Sequence, residues 1–243
     1  LDTRRVLVTL GCSIASLYAT PSASEIYERT AKVLSQPQIK FQVASTITSG
    51  DYVEEQVFSL ARVEDKTQSS VLICFASPVK VKGTAILMKK TLDESQASVF
   101  FPSLGRTRLI PKQNEKEEVF GLGLSFSEMQ NNKETLTFLQ TITQDEKLYY
   151  QLQKNLDDTK TIYIISVDDI VLKKMEIYKE EMLVKEVFVD EIKKINAKIM
   201  VTKWHIHDHL KNQTLAYAIK EDSIQNFVNT KIFSNASLNH CTP

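Results

Sequence analysis

The chain has 243 residues, with 30 Lys plus Arg against 30 Asp plus Glu and therefore no formal net charge at pH 7. It lacks the basic excess that phosphate backbones select, which argues against nucleic acid as a partner. Three cysteines leave room for one disulfide and exclude a disulfide framework.

Arg4 and Arg5 precede an uncharged run over residues 6–19, and small residues follow at Ala19, Ser22 and Ala23. A positive start, an apolar core and a small-residue cleavage site make up a secretory signal. Residues 1–23 are therefore read as a signal peptide and 24–243 as one exported domain. Leu10-Gly11-Cys12 also ends somewhat like a bacterial lipoprotein box. Acylation at Cys12 would give a membrane-anchored protein, whereas cleavage after Ala19 or Ala23 would give a freely diffusing one. No later stretch reaches the roughly 18 to 20 apolar residues of a transmembrane helix.

Ser22 and Glu25 have capping-box spacing, and Ile26, Tyr27, Thr30, Val33 and Leu34 form one stripe before Pro37, which predicts a short helix. From Ile39 the apolar period changes to two, with Ile39, Phe41 and Val43 on one face. Further strands are predicted near residues 52–63, 70–75, 83–89, 98–101 and 106–110. A second run lies near 135–143, 147–155, 161–167, 171–179, 183–189, 197–204 and 214–220. Polar pairs such as Asp157-Asp158, Asp168-Asp169 and Glu180-Glu181 suit hairpins, so consecutive strands should form an antiparallel meander. Residues 113–132 differ: an acidic cluster runs into Gly121-Leu122-Gly123-Leu124 and a short helical stretch. A flap over a ligand and a plain connection between two halves of the sheet both suit this segment.

Catalytic motifs are weak. His205, His207 and His209 alternate on a strand, but successive same-face residues stand about 7 Å apart, too wide for nitrogens that approach one zinc to about 2.1 Å. They are read as solvent-facing, with no metal and no other cofactor. Gly121-Leu122-Gly123 has no lysine at phosphate-loop spacing, and Cys74 sits in an apolar run as packing rather than as a reactive thiol. The chain is read as a non-enzyme.

Apolar surface is the stronger signal. Phe41, Val57, Ile73, Phe75, Ile86, Met88, Val99 and Phe101 are predicted to line one side of a sheet with few helices to cover it. That side must be buried by curling, by stacking or against the helix. A curved sheet too wide for one helix would leave a cavity suited to acyl chains.

Two segments carry a family resemblance. Pro78-Val79-Lys80-Val81-Lys82-Gly83-Thr84-Ala85, then Phe101-Pro102-Ser103-Leu104-Gly105-Arg106-Thr107-Arg108, resemble the LolA-like outer-membrane lipoprotein-sorting family, as do residues 124–129 and Ile232-Phe233-Ser234. Gly123 departs from the aspartate that relatives often carry. The resemblance implies one antiparallel sheet curled into an open, incomplete β-barrel, with the N-terminal helix and a short loop or helix as lid. It implies a monomeric periplasmic carrier of acylated lipoproteins or lipids, served by an inner-membrane release complex and an outer-membrane acceptor. Ile26, Leu34, Arg106 and Arg108 become the lid or partner contacts. A periplasmic sensor on the same fold, or a tethered acceptor, is the alternative.

Overall fold

The computed structural model describes residues 21–34, 36–91, 94–114, 117–119, 121–129, 136–156 and 158–241, excepting the side chains of residues 34, 113, 127 and 129. Residues 1–20 of the expected signal peptide, Cys12 among them, lie outside the described residues, as does the side chain of Leu34. Helix α1 (Ala23–Leu34) starts as expected. The Ser22 N–H donates to Glu25 Oε2 (2.7 Å), and the Glu25 N–H donates to Ser22 Oγ (3.2 Å). This reciprocal pair satisfies two donors that a helix start leaves open.

Thirteen strands follow. The first six are β1 (Gln38–Ser49), β2 (Tyr52–Glu64), β3 (Gln68–Ser77), β4 (Ala85–Thr91), β5 (Ser95–Phe101) and β6 (Arg106–Leu109). After a four-residue helix α2 (Phe126–Met129) come β7 (Leu136–Gln144), β8 (Lys147–Leu156), β9 (Thr159–Ser166) and β10 (Leu172–Lys179). The last are β11 (Met182–Ile195), β12 (Lys198–Asp208) and β13 (Gln213–Gln225). They form one antiparallel sheet in the order β6-β5-β4-β3-β2-β1-β13-β12-β11-β10-β9-β8-β7. The expected mainly β fold, one sheet not closed into a barrel, is the observed one.

Each expected strand is present, and the largest boundary difference is in β11. Its predicted end was residue 189, and the strand runs to Ile195. Register shifts at Val189/Glu191 and Glu191/Ile192 break the two-residue alternation there, so the apolar pattern stops before the backbone pairing does. The turn falls on Asn196 and Ala197, both at positive φ, like Glu180 and Glu181 between β10 and β11. Paired positive φ is the geometry that joins twisted strands through two residues.

The order of strands decides the role of the long connection. β1 pairs with β13, so the two meanders meet at the middle of the sheet and leave β6 and β7 as its free edges. The chain between β6 and β7 must therefore travel from one edge to the other. Connection and cover are one segment here, because residues 117–129 fold onto the sheet on the way.

The two faces are buried differently. Register carries one face from Ile206 through Val187 and Met175 to Tyr163, and both α1 and residues 117–129 lie on this inner face. Ile26 of α1 is buried with Leu152 and Ile165, and Tyr27 meets the Tyr163 ring edge-on at 5.6 Å. On the outer face Val228, Phe233 and Leu238 of the C-terminal segment pack on Ala61, Leu72 and Leu87. Cys74 and Cys241 are bridged there, Cα to Cα 5.9 Å. No helix among the described residues is long and apolar enough to cross a membrane.

Candidate functional site

Seven of the eight apolar residues singled out in the sequence share the inner face. Phe41 pairs with Leu60, Leu60 with Ile73, Ile73 with Ile86 and Ile86 with Val99, which keeps them on one side. Phe75, Met88 and Phe101 fall in the same alternation, and all seven belong to one apolar cluster. Val57 pairs with Ala44 and points to the opposite face. It follows Gln56, which takes the inward place, so the alternation across Gln56-Val57-Phe58 selects Phe58 for the interior.

What fills the space above these strands is residues 117–119 and 121–129. Val119, Leu122 and Phe126 are buried in the cluster, with Leu124 packed against it. Glu118 and Ser125 form an isolated antiparallel bridge, and the Val119 N–H donates to the Leu124 carbonyl at 3.0 Å. The result is a tight loop, closed at its neck and inserted tip first. Gly121 and Gly123 sit at φ +73° and +66°, the left-handed region that favours glycine. A Cβ on Gly123 would stand 3.1 Å from Leu215 Cδ2 and 3.2 Å from Ile206 Cδ1. The missing side chain is what lets the loop backbone reach the floor.

Polar groups hold the rim of this plug. The Gly123 N–H donates to Glu118 Oε1 at 3.1 Å, and Glu118 pairs with Lys211 in the β12–β13 turn. Ser125 and Glu128 form a second capping box (2.7 and 3.2 Å) at the start of α2. Glu128 also pairs with Lys185 of β11 at 2.9 Å, both side chains being only 12% exposed. Removing one partner of a buried ion pair leaves the other charge uncompensated. Lys185→Met is expected to destabilise the fold by roughly 2 to 3 kcal/mol, measured by urea denaturation. The double variant Lys185→Met/Glu128→Leu should recover most of that loss; no recovery would show that the pair is not the cause.

The lid candidates are placed as follows. Ile26 is fully buried under α1. Arg106 and Arg108 pair with Phe101 and Val99, so they lie on the inner face of the edge strand β6, exposed and with no ion-pair partner among the described residues. The sequence reading marked residues 113–132 as a candidate flap without naming Val119, Leu122 and Phe126 as its inward residues, and it missed the inner positions of β12 and β13. The signal for the latter was the alternation Met200, Thr202, Trp204, Ile206, which the conspicuous histidines between them obscured.

Those histidines occupy the outer face, each with its own partner. His205 Nδ1 lies 2.8 Å from Asp190, His207 Nδ1 is 2.9 Å from Thr214 Oγ1, and His209 Nε2 is 2.9 Å from Glu186. Among the described residues no group of three His, Cys, Asp or Glu side chains is arranged to hold a metal. A separate cleft of about 280 Å³ lies on the outer face beneath the C-terminal segment, lined by Lys40, Ser59, Leu72 and Ile232.

Solved structures share this architecture. A DUF1329 family protein from Desulfovibrio piger superposes with a TM-score of 0.79 at 16% identity, covering 90% of this chain and 100% of that one. A domain provisionally described as an outer-membrane lipoprotein-sorting protein, from Vibrio parahaemolyticus, gives 0.80 at 15%, covering 90% and 98%. A LolA superfamily protein from Nitrosomonas europaea gives 0.73 at 17%, covering 88% and 98%. The chain thus shares the fold of these three structures. No match was found among curated proteins. Residues 67–240 match the model of a family described as uncharacterized-protein-like, and the chain belongs to that family.

Proposed function

We propose that the protein is a periplasmic carrier that shields the acyl chains of lipoproteins or lipids on its inner face and moves them toward the outer membrane. The observation that carries this reading is the plug. The inner face of β1–β5, β12 and β13 is covered by a loop held at its rim by polar contacts rather than by a second sheet. Burying Val119, Leu122 and Phe126 stabilises the closed state by roughly 5 to 9 kcal/mol, and about ten methylenes at about 0.8 kcal/mol each gain a similar amount. An acyl chain can therefore replace the plug without either state being overwhelmingly favoured, which is what a carrier that must release its cargo requires. No covalent step enters.

The shared fold of lipoprotein-sorting proteins supports the reading, and so does the disulfide, which belongs to oxidising compartments. Residues 24–243 form the lipid-binding domain in this proposal, and the leader is the export signal. Ser22 caps α1 and Ala23 is buried in its packing, so we place the cleavage after Ala19, which retains both and starts the mature chain at residue 20, ahead of the domain's expected start at 24. Arg106 and Arg108, exposed at the rim, are the proposed contacts for the opened plug or a membrane-bound partner.

Native mass spectrometry of the gently purified mature chain, followed by lipid extraction, tests this directly. Acyl-bearing cargo bound to the folded protein is expected, together with release of lipoproteins from spheroplasts. Absence of both bound cargo and lipoprotein release would overturn the proposal.

A further inference from the structure

Three buried polar side chains of the inner face stand in one row. Tyr217 of β13 pairs with Ser45 of β1, and Ser45 pairs with Gln56 of β2. The row above them is Ile219, Val43 and Phe58, all buried and apolar, and the one below is Leu215, Ile47 and Glu54, of which the first two are buried apolar residues. Tyr217, Ser45 and Gln56 are 4%, 3% and 2% exposed. Tyr217 Oη, Ser45 Oγ and Gln56 Oε1 are all buried without a hydrogen-bond partner among the described residues.

A buried polar atom without a partner is costly, and most such atoms in folded proteins are satisfied. Three in register are not packing accidents of separate loops, because the sheet itself aligns them. Among the described residues the plug gives none of the three a partner. It crosses Gln56 with Gly121, whose absent Cβ would lie 3.2 Å from Gln56 Nε2, and Val119, Leu122 and Phe126 bring apolar side chains to the face. The Gln56 amide nitrogen already donates to Glu54 Oε1 at 3.3 Å, which leaves the buried, unpartnered oxygen as the group able to accept.

We propose that this row is the polar subsite for the acyl linkage of the cargo, and that it recognises an acyl amide. The two hydroxyls of Tyr217 and Ser45 would donate to the amide carbonyl, and Gln56 Oε1 would accept from the amide N–H. A bare hydrocarbon has neither group, and an ester has only the first. The inference rests on the carrier reading above and adds to it what the site reads besides chain length. Displacement of the plug uncovers the row and the apolar face together, so chain and linkage are bound in the same event.

The experiment is a fluorescence titration of the full mature chain with two probes of equal chain length, a pyrene-labelled N-acyl amide and a pyrene-labelled hydrocarbon. Wild type should bind the amide at least tenfold more tightly. Tyr217→Phe and Ser45→Ala should each weaken amide binding about tenfold, the worth of one hydrogen bond near the upper end of its range, and leave hydrocarbon binding unchanged. Equal affinity for both probes, or equal loss for both in the variants, overturns the subsite while leaving the carrier reading intact. Binding of neither probe by wild type overturns the carrier reading itself. Without ligand, both variants should melt at or above the wild-type temperature, since each removes an unpaired buried hydroxyl. A fall of several degrees in either would show that the hydroxyl is partnered within the fold and would overturn the subsite.

Discussion

Gly123→Val is expected to expel the plug, lower the melting temperature by roughly 5 to 15 °C and raise binding of an apolar dye. Two effects add. The residue sits at φ +66°, where a side chain costs about 1 to 2 kcal/mol and a β-branched one more. Its Cβ would meet Leu215 and Ile206 at 3.1 to 3.2 Å, and overpacking of a filled interior costs about 1 to 3 kcal/mol. The sum, about 2 to 5 kcal/mol, corresponds to about 2 to 4 °C for each kcal/mol in a chain of this size. The strands do not depend on Gly123 for their pairing, so the far-ultraviolet signature of the sheet should persist. Calorimetry with a dye titration checks both parts. An unchanged melting temperature with unchanged dye binding would show that the loop tolerates the side chain and that the glycine does not govern entry. Gly121→Ala is the milder companion, because its neighbours include the flexible end of Gln56.

The same glycine marks where sequence reasoning succeeded and where it stopped. Period-two alternation from Ile39 onward is a local property of strands, and it located every strand of the sheet. Capping-box spacing likewise located α1. Pairing order is not local. That β1 joins β13, leaving β6 and β7 as edges, depends on contacts far apart in the chain, and only this order makes residues 117–129 both connection and plug. The two glycines in that segment were visible, but positive φ against a facing leucine was not. Val57 was assigned to the inner face because it is apolar. The neighbouring Gln56, polar and inward, was passed over for the complementary reason. A polar residue at an inward position breaks the pattern that reveals strands, so the sites most open to ligand chemistry are those that alternation hides.

Cysteine pairing raised a similar difficulty, and its structural outcome leads to the second large effect. Spacing along the chain leaves the bridge open, because Cys74 and Cys241 are 167 residues apart. Folding brings them together where the C-terminal segment crosses the outer face of β3. A cross-link of this span removes chain entropy from the unfolded state worth about 5 kcal/mol in the simplest treatment, and about 2 to 4 kcal/mol is typical of measured bridges. Cys74→Ala/Cys241→Ala is therefore expected to lower the melting temperature by roughly 10 °C. Val228, Phe233 and Leu238 still pack on the sheet without the bridge, so the segment should remain docked at low temperature and loosen first on heating. The plug and the row of Tyr217, Ser45 and Gln56 lie on the other face, with a layer of backbone between. Probe binding at 25 °C should therefore match wild type despite the lost stability. Scanning calorimetry and the amide titration on one preparation separate the two faces. A variant that melts lower and binds normally fits a staple that stabilises the fold without shaping the site. A parallel loss of binding would mean that the outer segment controls the curvature of the inner face.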